Sequence, residues 1–249
     1  MRALLVGHGK MGKAVEAVLL ERGHDVVGRI EERDRPGDFF ESESGVESPA
    51  GPSGRGVAAG AEIAFEFTTP ASAAGLVSYL LSRKIPVVSG TTGWDVASAV
   101  RMAREQRTPF LHAPNFSIGV AVMKRLAVRA AELLAPFPAF EPGILERHHA
   151  AKKDAPSGTA KLLAAAVESS RPGAAVPVVA LRQGGQPGEH VLFFEGADET
   201  LELVHRARSR TIFAAGAVAA AEWLLASGRP GPATFDEFLD ALSRERTPR

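Results

Sequence analysis

The densest run of reactive side chains lies past the middle of the chain, in Glu146-Arg147-His148-His149-Ala150-Ala151-Lys152-Lys153-Asp154-Ala155-Pro156-Ser157-Gly158-Thr159-Ala160-Lys161. Between His148 and Lys153, four side chains can carry positive charge. The run ends in Pro-Ser-Gly-Thr just ahead of an Ala- and Leu-rich helical segment. A helix start offers free backbone N–H groups, and with a hydroxyl beside them it forms an anion site. Two imidazoles and an ammonium next to such a site suit a carboxylate substrate that must also receive a proton. Plainer readings stand beside this one. Paired histidines are commonly structural, and Ser-Gly-Thr also serves as a helix cap. No metal is expected, because adjacent histidines do not easily converge on one ion and no third ligand stands out.

A second set of candidates opens the chain. Gly7-His8-Gly9-Lys10-Met11-Gly12 has the form G-x-G-x-x-G, after an apolar strand-like run and before a helical one. In that context the first glycine allows a tight turn and the second lets backbone approach a pyrophosphate. The third lets helix and strand pack closely. The alternative is a glycine turn that binds nothing. An acid to take ribose hydroxyls is expected about 20 residues on, and Glu31 stands at the end of the second strand. Arg29 and Arg33 flank it and suit a 2′-phosphate instead, which leaves the cofactor form open. Gly90-Thr91-Thr92-Gly93 and Ala113-Pro114-Asn115-Phe116 fall at later strand ends, where an open parallel sheet binds ligands. Small residues there let a nicotinamide ring lie near backbone, and Asn115 suits its carboxamide. Spacing alone reads equally well as turns.

The elements that must position these groups follow from periodicity. Arg2–Val6, Asp25–Ile30, Glu62–Phe67, Pro86–Ser89 and Pro109–His112 read as strands, alternating with helices over 11–22, 71–82 and 95–107. Alternation of this kind implies a parallel sheet covered on both faces. Residues 32–60 are rich in Gly, Pro, Ser and Glu and read as a long surface connection. After Asn115 a long helix, 118–134, is followed by a strand over 144–147 and a helix over 159–169. Strands over 176–181, 190–194 and 200–205 then succeed one another without helices, predicting an antiparallel or mixed sheet. Helices over 214–226 and 235–242 close the chain, with 228–232 a loop. The expected class is therefore α/β: a Rossmann-like dinucleotide-binding domain from 1–116 and 211–249, with an inserted α+β domain over 117–210 for substrate binding and oligomerisation.

Composition excludes several classes. The 249 residues are 45% hydrophobic, enough to pack a core or two. The formal net charge of +0 gives no reason to expect nucleic acid as a partner. No run approaches the roughly 20 apolar residues that cross a bilayer, and Gly7 interrupts the short opening run, so neither a membrane span nor a signal peptide is expected. The count of 0 cysteines rules out disulfides and is compatible with a cytoplasmic location.

The central run has the form E-x-H-H-x-x-K-x-D-A-P-S-G-T-A, and it resembles the signature of the 4-hydroxy-tetrahydrodipicolinate (dihydrodipicolinate) reductase family. Gly7–Gly12, Glu66-Phe67-Thr68, Gly90–Gly93, Ala113–Phe116 and His205–Ala217 fall in the family's order, so the resemblance spans essentially the whole chain. It implies reduction of a cyclic dicarboxylate of the diaminopimelate/lysine pathway by hydride from NADH or NADPH, in a homotetramer built through the inserted domain's sheet. Carried over by position, His148 is the catalytic proton donor or acceptor and Lys152 a catalytic proton donor. His149, Gly158 and Thr159 contact substrate. Gly7, His8, Gly9, Lys10, Met11, Gly12, Glu31, Gly90, Thr91, Thr92, Ala113, Pro114, Asn115 and Phe116 contact cofactor. The chain departs from the family at Gly143, where an acid is frequent, and at Ala150 and Ala151, where bulkier polar residues occur.

Two other classes compete. A two-domain dehydrogenase of a small amino or keto acid, such as an aspartate dehydrogenase, shares the opening half but lacks the Lys-x-Asp-Ala-Pro-Ser-Gly-Thr segment. A nucleotide-sensing module needs no paired proton donors beside an anion site. Fold does not separate these; the central motif does.

Overall fold

The computed structural model describes residues 1–31, 60–173 and 175–245. Arg33 and the long connection expected over 32–60 lie outside the described residues, Gly60 excepted. In chain order, β1 (Arg2–Val6), α1 (Lys10–Glu21), β2 (Asp25–Ile30), β3 (Ile63–Glu66), α2 (Pro70–Ser82), β4 (Val87–Ser89), α3 (Val96–Gln106) and β5 (Phe110–His112) come first. The middle segment holds α4 (Ile118–Leu134), β6 (Glu141–His148), α5 (Gly158–Ser170), β7 (Val178–Arg182), β8 (Gly188–Glu195) and β9 (Thr200–Ala207). The chain closes with α6 (Thr211–Ala226), β10 (Pro232–Ala233) and α7 (Phe235–Glu245).

These elements form two compact units, Met1–Phe116 with Phe213–Arg249, and Ser117–Ile212. In the first, six parallel strands run in the order β10-β5-β4-β3-β1-β2. Ala3, Leu4, Leu5 and Val6 of β1 are all buried, with no alternation, as a central strand covered on both faces requires. Leu4 and Val6 pack with Val77, Leu80 and Leu81 of α2 and Ala99 and Ala103 of α3. The closing segment belongs to this unit. Arg22 Nε, at the end of α1, donates to Glu222 Oε1 of α6 at 2.9 Å. Gly216 of α6 lies so near the Phe116 carbonyl that a Cβ there would come within 1.8 Å of its oxygen.

One element departs from the sequence reading. Pro232, placed in a loop by composition, belongs to β10, a two-residue strand beside β5 at the sheet's edge. An edge position needs no N–H on one side, so proline is tolerated there.

The second unit carries a mixed sheet, β7-β6-β8-β9, in which β6 runs parallel to β7 and antiparallel to β8. Ile144, Leu192, Phe194 and Val178 pack against Met123, Ala127 and Ala131 of α4 and Ala160, Leu163 and Val167 of α5. Strand alternation then fixes which side chains share the helix-covered face. Ile144, Glu146 and His148 of β6 point there together, and the cross-strand partner His190 stands beside Glu146. Gly143 pairs with Phe193, and a Cβ at 143 would come within 2.5 Å of that ring. A side chain at 143 would displace Phe193, which explains the glycine at this departure from the family pattern.

Candidate active site

At the carboxyl ends of β1 and β2 the first unit opens a cavity of about 600 Å³. Of the residues singled out in the sequence, Gly7, His8, Gly9 and Glu31 line it; Thr68, Thr69 and Ser72 join them from the start of α2. Gly7 has φ of 90°, and a Cβ there would lie 2.2 Å from the Phe67 carbonyl oxygen. Gly12 sits beneath the turn, where a Cβ would come within 2.1 Å of the Gly7 carbonyl. Gly9, by contrast, has nothing within 4 Å of where its Cβ would be. The turn is thus tight where strand meets helix and bare where a phosphate would approach the start of α1, so these residues fit a dinucleotide.

Lys10, Met11 and Gly12 do not line this cavity, and neither do Gly90–Thr92 nor Ala113–Phe116. The later turns are nonetheless tied to it. Glu66 is 0% exposed at the end of β3. Its Oε1 accepts from Thr68 N at 2.9 Å, Thr68 Oγ1 at 2.5 Å and Thr91 Oγ1 at 2.7 Å, while Oε2 accepts from Ser89 Oγ at 2.6 Å. One buried carboxylate therefore organises the turns that follow β3 and β4. Gly90 lies against the Phe67 ring, where a Cβ would come within 2.2 Å, and Phe67 meets Phe116 at 6.0 Å between ring centroids. The sequence reading assigned Glu66 no role. Its signal was an acid inside an otherwise apolar strand, which needs donors when buried.

Arg29, read as a possible 2′-phosphate ligand, pairs with Glu16 of α1. Glu16 also bonds His8 Nε2 at 2.5 Å. The hydrogen bond from Arg29 holds the Glu16 carboxyl below its ordinary range, and Glu16 raises Arg29 in turn.

The second constellation gathers where β6 ends and α5 begins. Glu146 is fully buried, and its Oε1 accepts from Ser157 N at 2.9 Å and from Arg182 Nη2 of β7 at 2.7 Å. Its Oε2 faces His148 Nδ1 and His190 Nε2, each at 3.5 Å. The two imidazoles meet edge to face with ring centroids 5.1 Å apart. His190 Nε2 is also 3.1 Å from Ser157 Oγ, which caps α5 by accepting from Ala160 N at 3.2 Å. Burial raises the Glu146 carboxyl, but the bonds from Ser157 and Arg182 outweigh it and hold the group below its ordinary value. Burial pushes both imidazoles down, His190 to about 4.

His148 thus meets His190 rather than its neighbour His149, which is half-buried with its carbonyl accepting from Lys152 N at 3.1 Å. Lys152 Nζ pairs with Asp154 at 2.7 Å, a bond that lowers the Asp154 carboxyl. Gly158 is exposed and Thr159 half-buried, at the first turn of α5 behind a cis Ala155–Pro156 bond.

The expectation that no third ligand-type group stands by the histidines is corrected. One ligand atom each of Glu146, His148 and His190 lies within 4.8 Å of the others. Charge decides what this spacing serves. Arg182 already neutralises the carboxylate, and Lys152 adds positive potential at His148. A divalent ion would stand uncompensated in a buried place, so the three are read as a proton site.

Comparison with known proteins gives one answer. Residues 1–116 match the family model described as dihydrodipicolinate reductase, N-terminus, and residues 119–239 match its C-terminus. A 4-hydroxy-tetrahydrodipicolinate reductase from Christiangramia forsetii is 32% identical over 255 residues, covering 97% of this chain and 99% of its own. One from Xanthomonas euvesicatoria is 45% identical over 171 residues, 68% of either chain. Among solved structures, a dipicolinate-bound dihydrodipicolinate reductase from Paenisporosarcina superposes with a TM-score of 0.74 at 23% identity, covering 94% of this chain and 97% of its own. A probable dehydrogenase from Thermotoga maritima shares the fold at a TM-score of 0.60 and 11% identity, covering 97% of this chain and 93% of its own.

Proposed function

This chain belongs to the dihydrodipicolinate reductase family, and from that premise we propose that His148 donates the proton of its reaction, Lys152 stabilises the developing charge, and the start of α5 holds the substrate. The chain is an NAD(P)H-dependent oxidoreductase of diaminopimelate and lysine biosynthesis, reducing 4-hydroxy-tetrahydrodipicolinate to tetrahydrodipicolinate. The carrying observation for the site is the convergence on Glu146 of the His148 imidazole, the Arg182 guanidinium and the Ser157 backbone at the α5 N-terminus.

The nicotinamide cofactor supplies the hydride. In the first unit, Gly7, His8, Gly9 and Glu31 would hold its phosphates and ribose, with Gly90–Thr92 and Ala113–Phe116 completing the contacts. In the second unit, the start of α5 at Gly158 and Thr159 takes a substrate carboxylate at the positive end of the helix, assisted by His149. The 4-hydroxyl departs as water to give a conjugated C=N ring, and hydride addition to that ring leaves negative charge on it. Lys152, held by Asp154, stabilises that charge, and His148 donates a proton to it.

The same reading places the enzyme in the cytoplasm as a homotetramer. Its lack of cysteines suits a reducing compartment, and among the described residues no helix is long and apolar enough to cross a membrane. The test of function is a coupled assay with the preceding synthase, pyruvate and aspartate semialdehyde. Consumption of NADH or NADPH that requires the synthase and both its substrates is the expected result. No consumption with either nucleotide would sink the reading.

A further inference from the structure

We propose that Glu146 is the positioning residue of the active site: its carboxylate fixes the His148 ring with Nδ1–H directed at Oε2 and binds the same ring to the start of α5, with His190 competing for the one proton between them. The proposal rests on the reading of His148 as the proton donor, and it adds how that donor is oriented.

The geometry begins with an imbalance. Glu146 is fully buried, yet only one of its oxygens is bonded. Oε2, His148 Nδ1 and His190 Nδ1 have no hydrogen-bond partner among the described residues. A buried carboxylate oxygen without a donor is costly, and the groups that face it are the two imidazoles at 3.5 Å. That separation is too long for a made hydrogen bond and short enough for strong electrostatic preference. An imidazole lone pair aimed at Oε2 is repelled; an N–H is attracted. Glu146 therefore selects the His148 tautomer that carries its proton on Nδ1.

The consequence appears on the other side of the ring. A side chain at Gly188 would place its Cβ 3.0 Å from His148 Nε2. The glycine leaves room beside that nitrogen, so when the ring takes a second proton, Nε2–H is the one directed away from Glu146 and toward a substrate. Charges around His148 oppose each other. Glu146 on β6 and Asp154 in the following loop favour the imidazolium; Lys152 in that loop and Arg182 on β7 oppose it. On β8, His190 faces the same oxygen, and His148 and His205 of β9 both disfavour its charging. The two rings near Oε2 thus share a single added proton.

Glu146 also reaches the proposed anion site. Oε1 accepts the backbone N–H of Ser157, the residue whose hydroxyl caps α5 and meets His190. One side chain fixes both the donor ring and the helix start that receives the carboxylate.

The test combines imidazole NMR with kinetics on the whole enzyme. In the parent, ¹⁵N shifts of His148 should report the Nδ1–H tautomer, and His148 and His190 should titrate in coupled steps. In Glu146→Gln the isostere keeps the volume and loses the charge. His148 should then titrate at lower pH. Turnover should fall about tenfold or more, with nucleotide affinity unchanged. Because the donor must be protonated, the decline of turnover with rising pH should begin at lower pH in the variant, tracking the NMR shift. An Nε2–H tautomer in the parent overturns the proposal even if the variant does not fold. So does a His148 titration unmoved by Glu146→Gln. A moved titration with an unmoved rate profile supports Glu146 as the orienting group and removes His148 from the chemistry, so the two readings fail separately.

Discussion

At the scale of single residues, the site is a problem of where protons rest. His148 is buried, which disfavours its charged form first, and the neighbouring carboxylates and cations then compete over what remains. General acid catalysis contributes about 10²–10⁴-fold. His148→Gln and Lys152→Met, which keep approximate bulk, should each lower turnover by that order and leave nucleotide affinity near normal. The double variant should lose less than the product of the single losses, because groups acting together are not additive. Steady-state kinetics with saturating substrate checks this, and near-parental turnover in both single variants would remove the assignment. His190 carries a separate consequence for stability. Burial holds its folded pKa at about 4, below the unfolded value of about 6.5. Between these values the unfolded chain binds more protons, so stability falls as pH drops through the window. The contribution is whole above about 6.5 and lost by about 4. Urea unfolding midpoints should decline from pH 7 to 5 more steeply in the parent than in His190→Gln; parallel declines would show that other groups dominate.

At the scale of elements, the helix start is the working part. Ser157 caps α5 with its hydroxyl, leaving the backbone of Gly158 and Thr159 at the positive end of the helix. Thr159→Val preserves shape and deletes one hydroxyl donor. A charge-assisted hydrogen bond is worth about 1.5–3 kcal/mol, so affinity for pyridine-2,6-dicarboxylate, a planar substrate mimic, should fall about tenfold or more. Calorimetry on the two proteins decides it, since unchanged affinity would leave Thr159 a structural residue only. Elements of this kind are legible from sequence because their signals are local. Helix α4 is bounded by its capping Ser117 and by an unbroken apolar period to Leu134, and the expected and observed limits coincide. The two-residue strand β10 has no period to read, and only pairing with Phe110 and Leu111 makes it a strand. The same limit governs the site. His148 and Lys152 announce themselves within one motif, whereas His190 joins Glu146 only through the register of β6 against β8. Glu66 reaches Thr91 only because β3 and β4 are neighbours. Register across a sheet is set by the packed whole, and no short window of sequence contains it.

At the scale of the whole molecule, the sheet of the second unit poses a question of cover. Its helix-facing side is filled by Ile144, Leu192 and Phe194 against α4 and α5. Alternation puts Val179, Leu181 and Val204 on the opposite side, and these are 63%, 42% and 41% exposed in the isolated chain. On the same side, Glu189 is buried between Arg147 and Arg206, at 2.5 Å and 3.1 Å. That side therefore offers apolar side chains around a fixed ionic cluster, the mixture found at protein interfaces. Burying such a face contributes about 25 cal/mol per Å², and a twofold axis lets identical sheets cover one another. Two further surfaces must meet for a tetramer, and the exposed edges β7 and β9 supply strand ends for pairing. The expected assembly is a homotetramer at micromolar concentration. Sedimentation velocity should show it for the parent. Val179→Lys with Val204→Lys places unpaired charge where the copies meet and should drive the equilibrium toward smaller species, while circular dichroism and nucleotide affinity remain those of the parent. A parent that sediments only as monomer would end the proposal, and a doubly substituted chain that stays tetrameric would move the interface to another face.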